Sequence, residues 1–116
     1  LTLIIQNMAA THQQTTVSNP SMCGAVILPA LNEEAVIKTL VADIRAVVDW
    51  PVWLVDDCSS DRTVEAASQA GARVIELTNP LGAWGATQTG LRDAANRHLD
   101  FVVTMDADGQ HNPGDM

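Results

Sequence analysis

The stretch that decides the fold is Phe101-Val-Val-Thr-Met-Asp106-Ala-Asp108-Gly-Gln110-His-Asn-Pro113. In this stretch an apolar run stops at two carboxylates spaced two residues apart. A short apolar run that ends abruptly in polar residues predicts a buried β-strand. In open parallel sheets, ligands bind at the carboxyl ends of the strands. A close pair of carboxylates suits Mg²⁺ or Mn²⁺, which complete their coordination with water and substrate phosphates. The stretch therefore predicts metal-assisted chemistry on a phosphorylated substrate.

The alternation of strand and helix patterns extends upstream from this run. Apolar runs at 24–28, 52–55, 73–77 and 101–105 predict four strands, and apolar residues at helical spacing lie between them. The order β-α-β-α-β-α-β predicts an α/β fold, with a mainly parallel sheet and helices on both faces. Residues 1–22 lack a clear period and are predicted to form an N-terminal extension or linker.

Composition restricts the class of protein. The 116 residues are enough for one domain, and 14 acidic residues against 6 Lys and Arg give a net charge of −8. This charge argues against a surface that binds nucleic acid. Cys23 and Cys58 are too few for a disulfide framework and fit a reducing compartment. No apolar run approaches the roughly 20 residues of a membrane helix, so the expected location is the cytoplasm.

A second acidic pair, Asp56 and Asp57, follows the second predicted strand. Because the ends of parallel strands share one edge, this pair should lie near Asp106 and Asp108, and their repulsion requires a cation or polar ligand. Asp-x-Asp-Gly also opens calcium-binding EF-hand loops. That interpretation fails because a strand precedes the motif and His111 stands where the loop requires Gly. The acidic residues therefore predict a ligand site at the sheet edge.

Glycines mark the connection after the third predicted strand. Gly82, Gly85 and Gly90 do not match the dinucleotide-binding fingerprint, and they predict a loop and helix N-terminus whose backbone N–H groups approach a diphosphate. Trp84 lies in this loop and could line a ligand cleft. Asp61, which follows two serines and precedes a helix pattern, is predicted to cap that helix.

Together these segments resemble the N-terminal half of family-2 inverting glycosyltransferases with the GT-A fold. The resemblance rests on four motifs in order, at residues 26–34, 55–63, 79–91 and 105–113. The Asp-Ala-Asp-x-Gln-His form of the last motif is closest to dolichyl-phosphate mannosyltransferase-like and other polyprenyl-phosphate glycosyltransferases. Cys58 stands where the family usually has Gly.

The resemblance implies a donor site, a metal site and an acceptor. The residues that would hold a UDP- or GDP-sugar are Pro29, Ala30, Asn32, Glu33, Asp56, Asp57, Gly82 and Gly85. The residues that would bind Mg²⁺ or Mn²⁺ are Asp106, Asp108 and Gln110. The acceptor would be a polyprenyl phosphate, which implies work at the cytoplasmic face of a membrane in cell-wall or glycolipid biosynthesis.

The resemblance also implies an incomplete domain. Residues 23–116 would be the donor- and metal-binding half, truncated after the Asp-x-Asp motif, with the general base downstream of Met116. Such a fragment should bind donor weakly without turnover, and its open sheet edge could favour a homo-oligomer. Two alternatives remain: a response-regulator-like, Mg²⁺-dependent phosphoacceptor domain and a non-catalytic binding module. The former places its acidic pair after the first strand, whereas here the pair follows the second.

Overall fold

The computed structural model describes residues 4–7 and 23–105, which form one five-stranded sheet and three helices. The elements in chain order are β1 (Ile4–Asn7), β2 (Gly24–Ala30), α1 (Glu34–Val47), β3 (Val52–Asp56), α2 (Thr63–Gln69), β4 (Arg73–Glu76), α3 (Gly82–Asn96) and β5 (Phe101–Thr104). The strand order is β1-β5-β2-β3-β4, in which β2 to β5 are parallel and β1 is antiparallel to β5. The predicted α/β fold with a mainly parallel sheet is confirmed, and residues of the N-terminal extension contribute the antiparallel edge strand.

Helices cover both faces of the sheet because the central strands are apolar on both sides. In β2, Val26 and Leu28 belong to an apolar cluster with α1 and α2, whereas Ala25 and Ile27 belong to one with α3. Every residue of β2 and β3 is buried. This double-sided burial is what parallel strands between two helical layers require.

Helix α3 lies unusually close to the sheet and begins within the predicted glycine loop. A Cβ added to Gly90 would lie 2.7 Å from Ile27 Cγ2 and 3.3 Å from Val55 Cγ2, so the absence of a side chain allows this approach. Gly82 is the first residue of the helix. The glycine-bearing stretch is therefore largely the first turn of α3, and this turn stands at the carboxyl edge of the sheet. Among the residues that the structure describes, no helix combines the length and apolarity needed to cross a bilayer.

Candidate functional site

The turn between β2 and α1 is hydrogen-bonded to the loop between β3 and α2. Asn32 has a φ of 53°, a left-handed conformation that Asn tolerates better than most residues. Its Oδ1 accepts from the N–H of Ser60 at 2.8 Å, and its own N–H donates to Ser59 Oγ at 2.9 Å. Asn32, predicted to contact the donor, thus joins the two loops, and its side-chain oxygen already accepts a hydrogen bond within the protein.

Asp61 caps two helices at once. Its Oδ1 accepts from the N–H of Thr63 at 3.0 Å, at the start of α2, and its Oδ2 accepts from the N–H of Glu34 at 3.2 Å, at the start of α1. The Thr63 hydroxyl also donates to Asp61, and this bond is the largest cause of a pKa for Asp61 below its ordinary value. Thr63 Oγ1 in turn accepts from the N–H of Glu33 at 2.9 Å. The prediction that Asp61 caps a helix is confirmed, and the cap extends to α1.

The buried Asp57 carboxylate holds the start of α3. Its two oxygens accept from the N–H groups of Leu81 at 2.7 Å and Gly82 at 3.0 Å, while its own N–H donates to the Ala30 carbonyl at 2.9 Å. A carboxylate is well placed at a helix N-terminus, where unpaired N–H groups and the helix dipole favour negative charge. The N–H of Gly82, predicted to approach a diphosphate, is bound to Asp57 in this structure.

Both predicted donor-site glycines have structural reasons to lack a side chain. Gly82 has a φ of 79°, which favours Gly, and Gly85 leaves room for Leu81, since an added Cβ would lie 2.6 Å from the Leu81 Cβ. Cys58 also has a positive φ, 67°, and its Sγ donates to the Leu77 carbonyl at 3.3 Å. Glycine adopts this conformation without strain, so the backbone at position 58 favours Gly over Cys.

Asp56 has a different environment from its neighbour. Its side chain is only 3% exposed, and Oδ2 accepts from the N–H of Ser59 at 3.1 Å. Its Oδ1 is buried and lacks a hydrogen-bond partner within residues 4–7 and 23–105. A buried polar atom without a partner is energetically costly, so such atoms commonly mark a site completed by another group. The structure thus separates the two acids: both oxygens of Asp57 accept a hydrogen bond, whereas Oδ1 of Asp56 has no partner among the described residues.

The other predicted donor residues lie at the same carboxyl edge. Pro29 and Ala30 are buried at the end of β2, where they pair with Val55 and Asp56 of β3. Glu33 precedes α1, and its backbone N–H donates to the side chain of Thr63, the first residue of α2. The ends of β2 and β3 and their two loops therefore bring these predicted residues together.

The predicted metal ligands lie outside the described residues. β5 ends at Thr104, and Met105 is buried with its N–H bonded to the Ile27 carbonyl at 3.1 Å, so the chain leaves the sheet at this same edge. Within the described ranges, no group of three or more His, Cys, Asp and Glu side chains could hold a metal. The ligand positions that remain a prediction are Asp106, Asp108 and Gln110.

Exposed apolar side chains border the polar edge, a feature that the sequence pattern did not single out except at Trp84. Leu31, Leu81 and Trp84 are 49%, 53% and 62% exposed. Leu31 follows Ala30, whose carbonyl accepts from the N–H of Asp57, and the N–H of Leu81 donates to the Asp57 carboxylate. Leu31 and Leu81 are therefore close to Asp57. Trp84 lies one helical turn beyond Leu81. The edge thus combines a buried carboxylate oxygen, unpaired within the part of the chain that the structure describes, with a solvent-facing apolar border.

Comparison with known families identifies this arrangement. Residues 25–116 match the family model described as glycosyl transferase family 2. The chain belongs to this family. The predicted resemblance and the predicted GT-A-like fold are therefore confirmed, and the phosphoacceptor alternative loses its basis.

Individual relatives of this family-2 chain agree with the match. It is 33% identical to a UDP-N-acetylglucosamine–dolichyl-phosphate N-acetylglucosaminyltransferase of Methanococcus voltae, over 78% of this chain and 43% of that protein. It is 36% identical to an undecaprenyl-phosphate mannosyltransferase of Micrococcus luteus, over 75% of this chain and 38% of that protein. The chain thus spans about two fifths of the length of these curated relatives.

A solved structure supports the same fold. Glucosyl-3-phosphoglycerate synthase from Mycobacterium tuberculosis, crystallised with Mn²⁺, UDP and phosphoglyceric acid, aligns with a TM-score of 0.62 and 32% identity. The alignment covers 76% of this chain and 34% of that one. The matched part of this family-2 chain therefore has the fold of an enzyme crystallised with a nucleotide and a divalent metal.

Proposed function

We propose that residues 23–116 form the donor- and metal-binding half of an inverting glycosyltransferase that uses a nucleotide-sugar. The observation that carries this proposal is the buried Oδ1 of Asp56, which has no partner among residues 4–7 and 23–105 and lies at the carboxyl edge of a family-2 sheet. An ionised carboxylate oxygen can only accept hydrogen bonds. A nucleoside offers suitable donors in the N–H groups of its base and the hydroxyls of its ribose.

The hydrogen-bonded loops give this site its rigidity. Asp57 fixes the first turn of α3, and Asn32 and Asp61 fix the β2–α1 turn against the β3–α2 loop. Loops that are already held by hydrogen bonds lose little conformational entropy when a ligand binds, which favours affinity. We therefore assign Asp56 to direct donor contact and Asp57 to support of the loop beside it, with Trp84 lining the cleft.

The donor set proposed for the metal fits a hard divalent cation. Asp106 and Asp108 supply carboxylates and Gln110 an amide oxygen, the ligand types that Mg²⁺ and Mn²⁺ prefer. When bound, such an ion would offset the charge of the departing nucleoside diphosphate. The neighbouring structure crystallised with Mn²⁺ and UDP supports use of a divalent metal in this fold.

The acceptor is proposed to be a polyprenyl phosphate. Two of the relatives are named for dolichyl-phosphate and undecaprenyl-phosphate substrates. A lipid acceptor would require the complete enzyme to work at a membrane, and we propose the cytoplasmic face, in glycolipid or cell-wall synthesis. We assign no general base among the described residues, so the proposed contribution of this chain is donor binding, with the base downstream of Met116.

Calorimetric titration with UDP- and GDP-sugars, with and without Mn²⁺, tests this proposal. We expect one nucleotide class to bind only in the presence of metal, and Asp56→Asn to weaken binding about tenfold or more, because a charged acceptor becomes a neutral amide. The matched control is Asp93→Asn, which removes a carboxylate of α3 that pairs with Arg73 rather than with the site.

Two results would contradict the proposed site. Donor binding that is unchanged in folded Asp56→Asn would remove Asp56 from the site. Labelling of the chain by acetyl phosphate, without nucleotide binding, would instead support a phosphoacceptor. The folded state of each variant is checked by circular dichroism and thermal unfolding, so that loss of structure is not mistaken for loss of binding.

A further inference from the structure

The outer edge of β5, on the side away from β2, is occupied by a strand that lies outside the family-matched region. The family model begins at residue 25, whereas β1 is Ile4–Asn7. β1 stands last in the strand order, so β5 is its one neighbour in the described sheet, and the pairing is antiparallel. The strand is thus an addition to four parallel strands that belong to the family domain.

The backbone N–H groups of β5 divide between its two sides. The N–H of Met105, just after the strand, donates to the Ile27 carbonyl on the β2 side. N–H groups alternate in direction along a strand, so those of Val102 and Thr104 face β1. Both residues are buried. Without a strand on this side, these N–H groups would lack the partners that buried backbone requires.

The register shows which residues of β1 satisfy these groups. Gln6 lies opposite Val102 and Ile4 lies opposite Thr104, which makes these the hydrogen-bonded pairs of the ladder. Ile5, opposite Val103, lies between them as the non-hydrogen-bonded pair, and its N–H points away from β5. The docked strand is four residues long, so few backbone bonds hold it in place.

The connection from β1 to β2 is much longer than the distance that it has to cross. Asn7 and Gly24 both pair with Phe101, from opposite sides, so the connection crosses two strand spacings, about 10 Å. Residues 8–23 could span about 50 Å when extended. This slack lets β1 leave the edge while it remains tethered, and also lets it reach a second molecule.

We infer that β1 can leave the outer edge of β5, which then accepts β1 of a second copy in the same antiparallel register. When β1 leaves, the edge presents unpaired N–H and C=O groups, and a second β1 supplies an antiparallel backbone with the matching register. Tethering gives the internal β1 a high effective concentration, so the internal strand predominates in dilute solution. This inference does not depend on the proposed donor site.

Hydrogen exchange of the full chain tests the inference with an internal reference. Amides of Val102 and Thr104 face β1, whereas the amide of Val103 faces β2, so strand departure exposes only the first two. We expect Val102 and Thr104 to be protected, but to exchange at least about tenfold faster than Val103. Absence of protection would show that β1 is not docked, and equal exchange of all three would show that it does not leave; either result overturns the inference.

Two proline variants provide a matched comparison in the full chain. Gln6→Pro removes an N–H that bonds to β5, whereas Ile5→Pro removes one that points away, where edge strands tolerate proline. We expect exchange at Val102 to increase in Gln6→Pro more than in Ile5→Pro. We also expect a carrier protein that displays residues 1–10 to bind Gln6→Pro about tenfold more tightly than it binds the unmodified chain. Folded Gln6→Pro that does not bind this carrier would contradict exchange in trans.

Discussion

Adjacent residues Asp56 and Asp57 have contrasting environments at the scale of single side chains. Both are almost fully buried, yet the carboxylate of Asp57 is bound by two backbone N–H groups, and Oδ1 of Asp56 has no partner in the described chain. The contrast follows from strand geometry, since successive side chains at a strand end point in different directions. Asp57 supports the helix beside it, whereas Asp56 keeps one carboxylate oxygen without a partner among the described residues.

Cys58 provides a residue-scale prediction about stability. Its φ of 67° is unfavourable for any residue with a Cβ, so we expect Cys58→Gly to be more stable than Cys58→Ala by about 1 kcal/mol. Both variants lose the Sγ bond to Leu77, which leaves backbone conformation as the difference between them. Urea unfolding of the two variants measures the difference between their free energies of unfolding. An alanine variant as stable as the glycine variant would show that the conformation costs little.

The sequence predicted which residues gather at the sheet edge, but not how their hydrogen bonds are distributed. Apolar runs that end at Asp56 and near Asp106 are local patterns, and they sufficed for the four parallel strands and their shared edge, whereas the segment that forms β1 was predicted only as an extension or linker. The bonds of Asp57 to Leu81 and of Asn32 to Ser60 join residues far apart in the chain. Such pairings depend on loop conformations, including the positive φ of Asn32, that a local pattern does not specify.

At the scale of elements, Asp93 joins α3 to the edge strand β4. Its Oδ2 lies 2.7 Å from Arg73 Nη1 and 3.2 Å from Arg97 Nε, and the bond from Arg73 is the main reason that the pKa of Asp93 is lowered from 3.8. A lowered folded-state pKa stabilises the protein above the ordinary value. This stabilisation is lost as the pH falls through the lowered pKa.

We therefore expect the stability difference between the unmodified chain and Asp93→Asn to be larger at about pH 6 than at about pH 2.5. Urea unfolding at the two pH values measures the difference. It should also decrease at high salt, because the pair is partly exposed and therefore screened. A difference that is the same at both pH values would show that the ionised carboxylate is not what stabilises this contact.

The packing of α3 on β2 gives a second element-scale prediction. We expect Gly90→Ala to lower the free energy of unfolding by about 1–3 kcal/mol, because the added Cβ would lie 2.7 Å from Ile27 Cγ2. Gln88→Ala is the control, since Gln88 is exposed on the same helix and its change should be below about 0.5 kcal/mol. Thermal or urea unfolding distinguishes them. Equal stability of the two variants would mean that α3 can move away from the sheet at little cost.

At the scale of the whole molecule, we expect binding without catalysis. Removal of divalent metal with EDTA should abolish nucleotide-sugar binding, and restoring Mn²⁺ should recover it, because the proposed site places two carboxylates beside a diphosphate. The chain spans about two fifths of its curated relatives, so donor hydrolysis or transfer to a lipid phosphate should stay at background. Calorimetry and radiolabelled-sugar transfer measure the two properties separately. Measurable transfer by the purified chain would contradict the proposed division of the domain.

The double cap formed by Asp61 has a consequence for how the molecule opens. One carboxylate binds the first turns of both α1 and α2, so the starts of the two helices are held to the same side chain. Local unfolding commonly proceeds in cooperative units rather than residue by residue. The two successive strand–helix units from β2 to α2 should therefore open together, as a single unit with one opening rate. In Asp61→Ala that shared rate should separate into two.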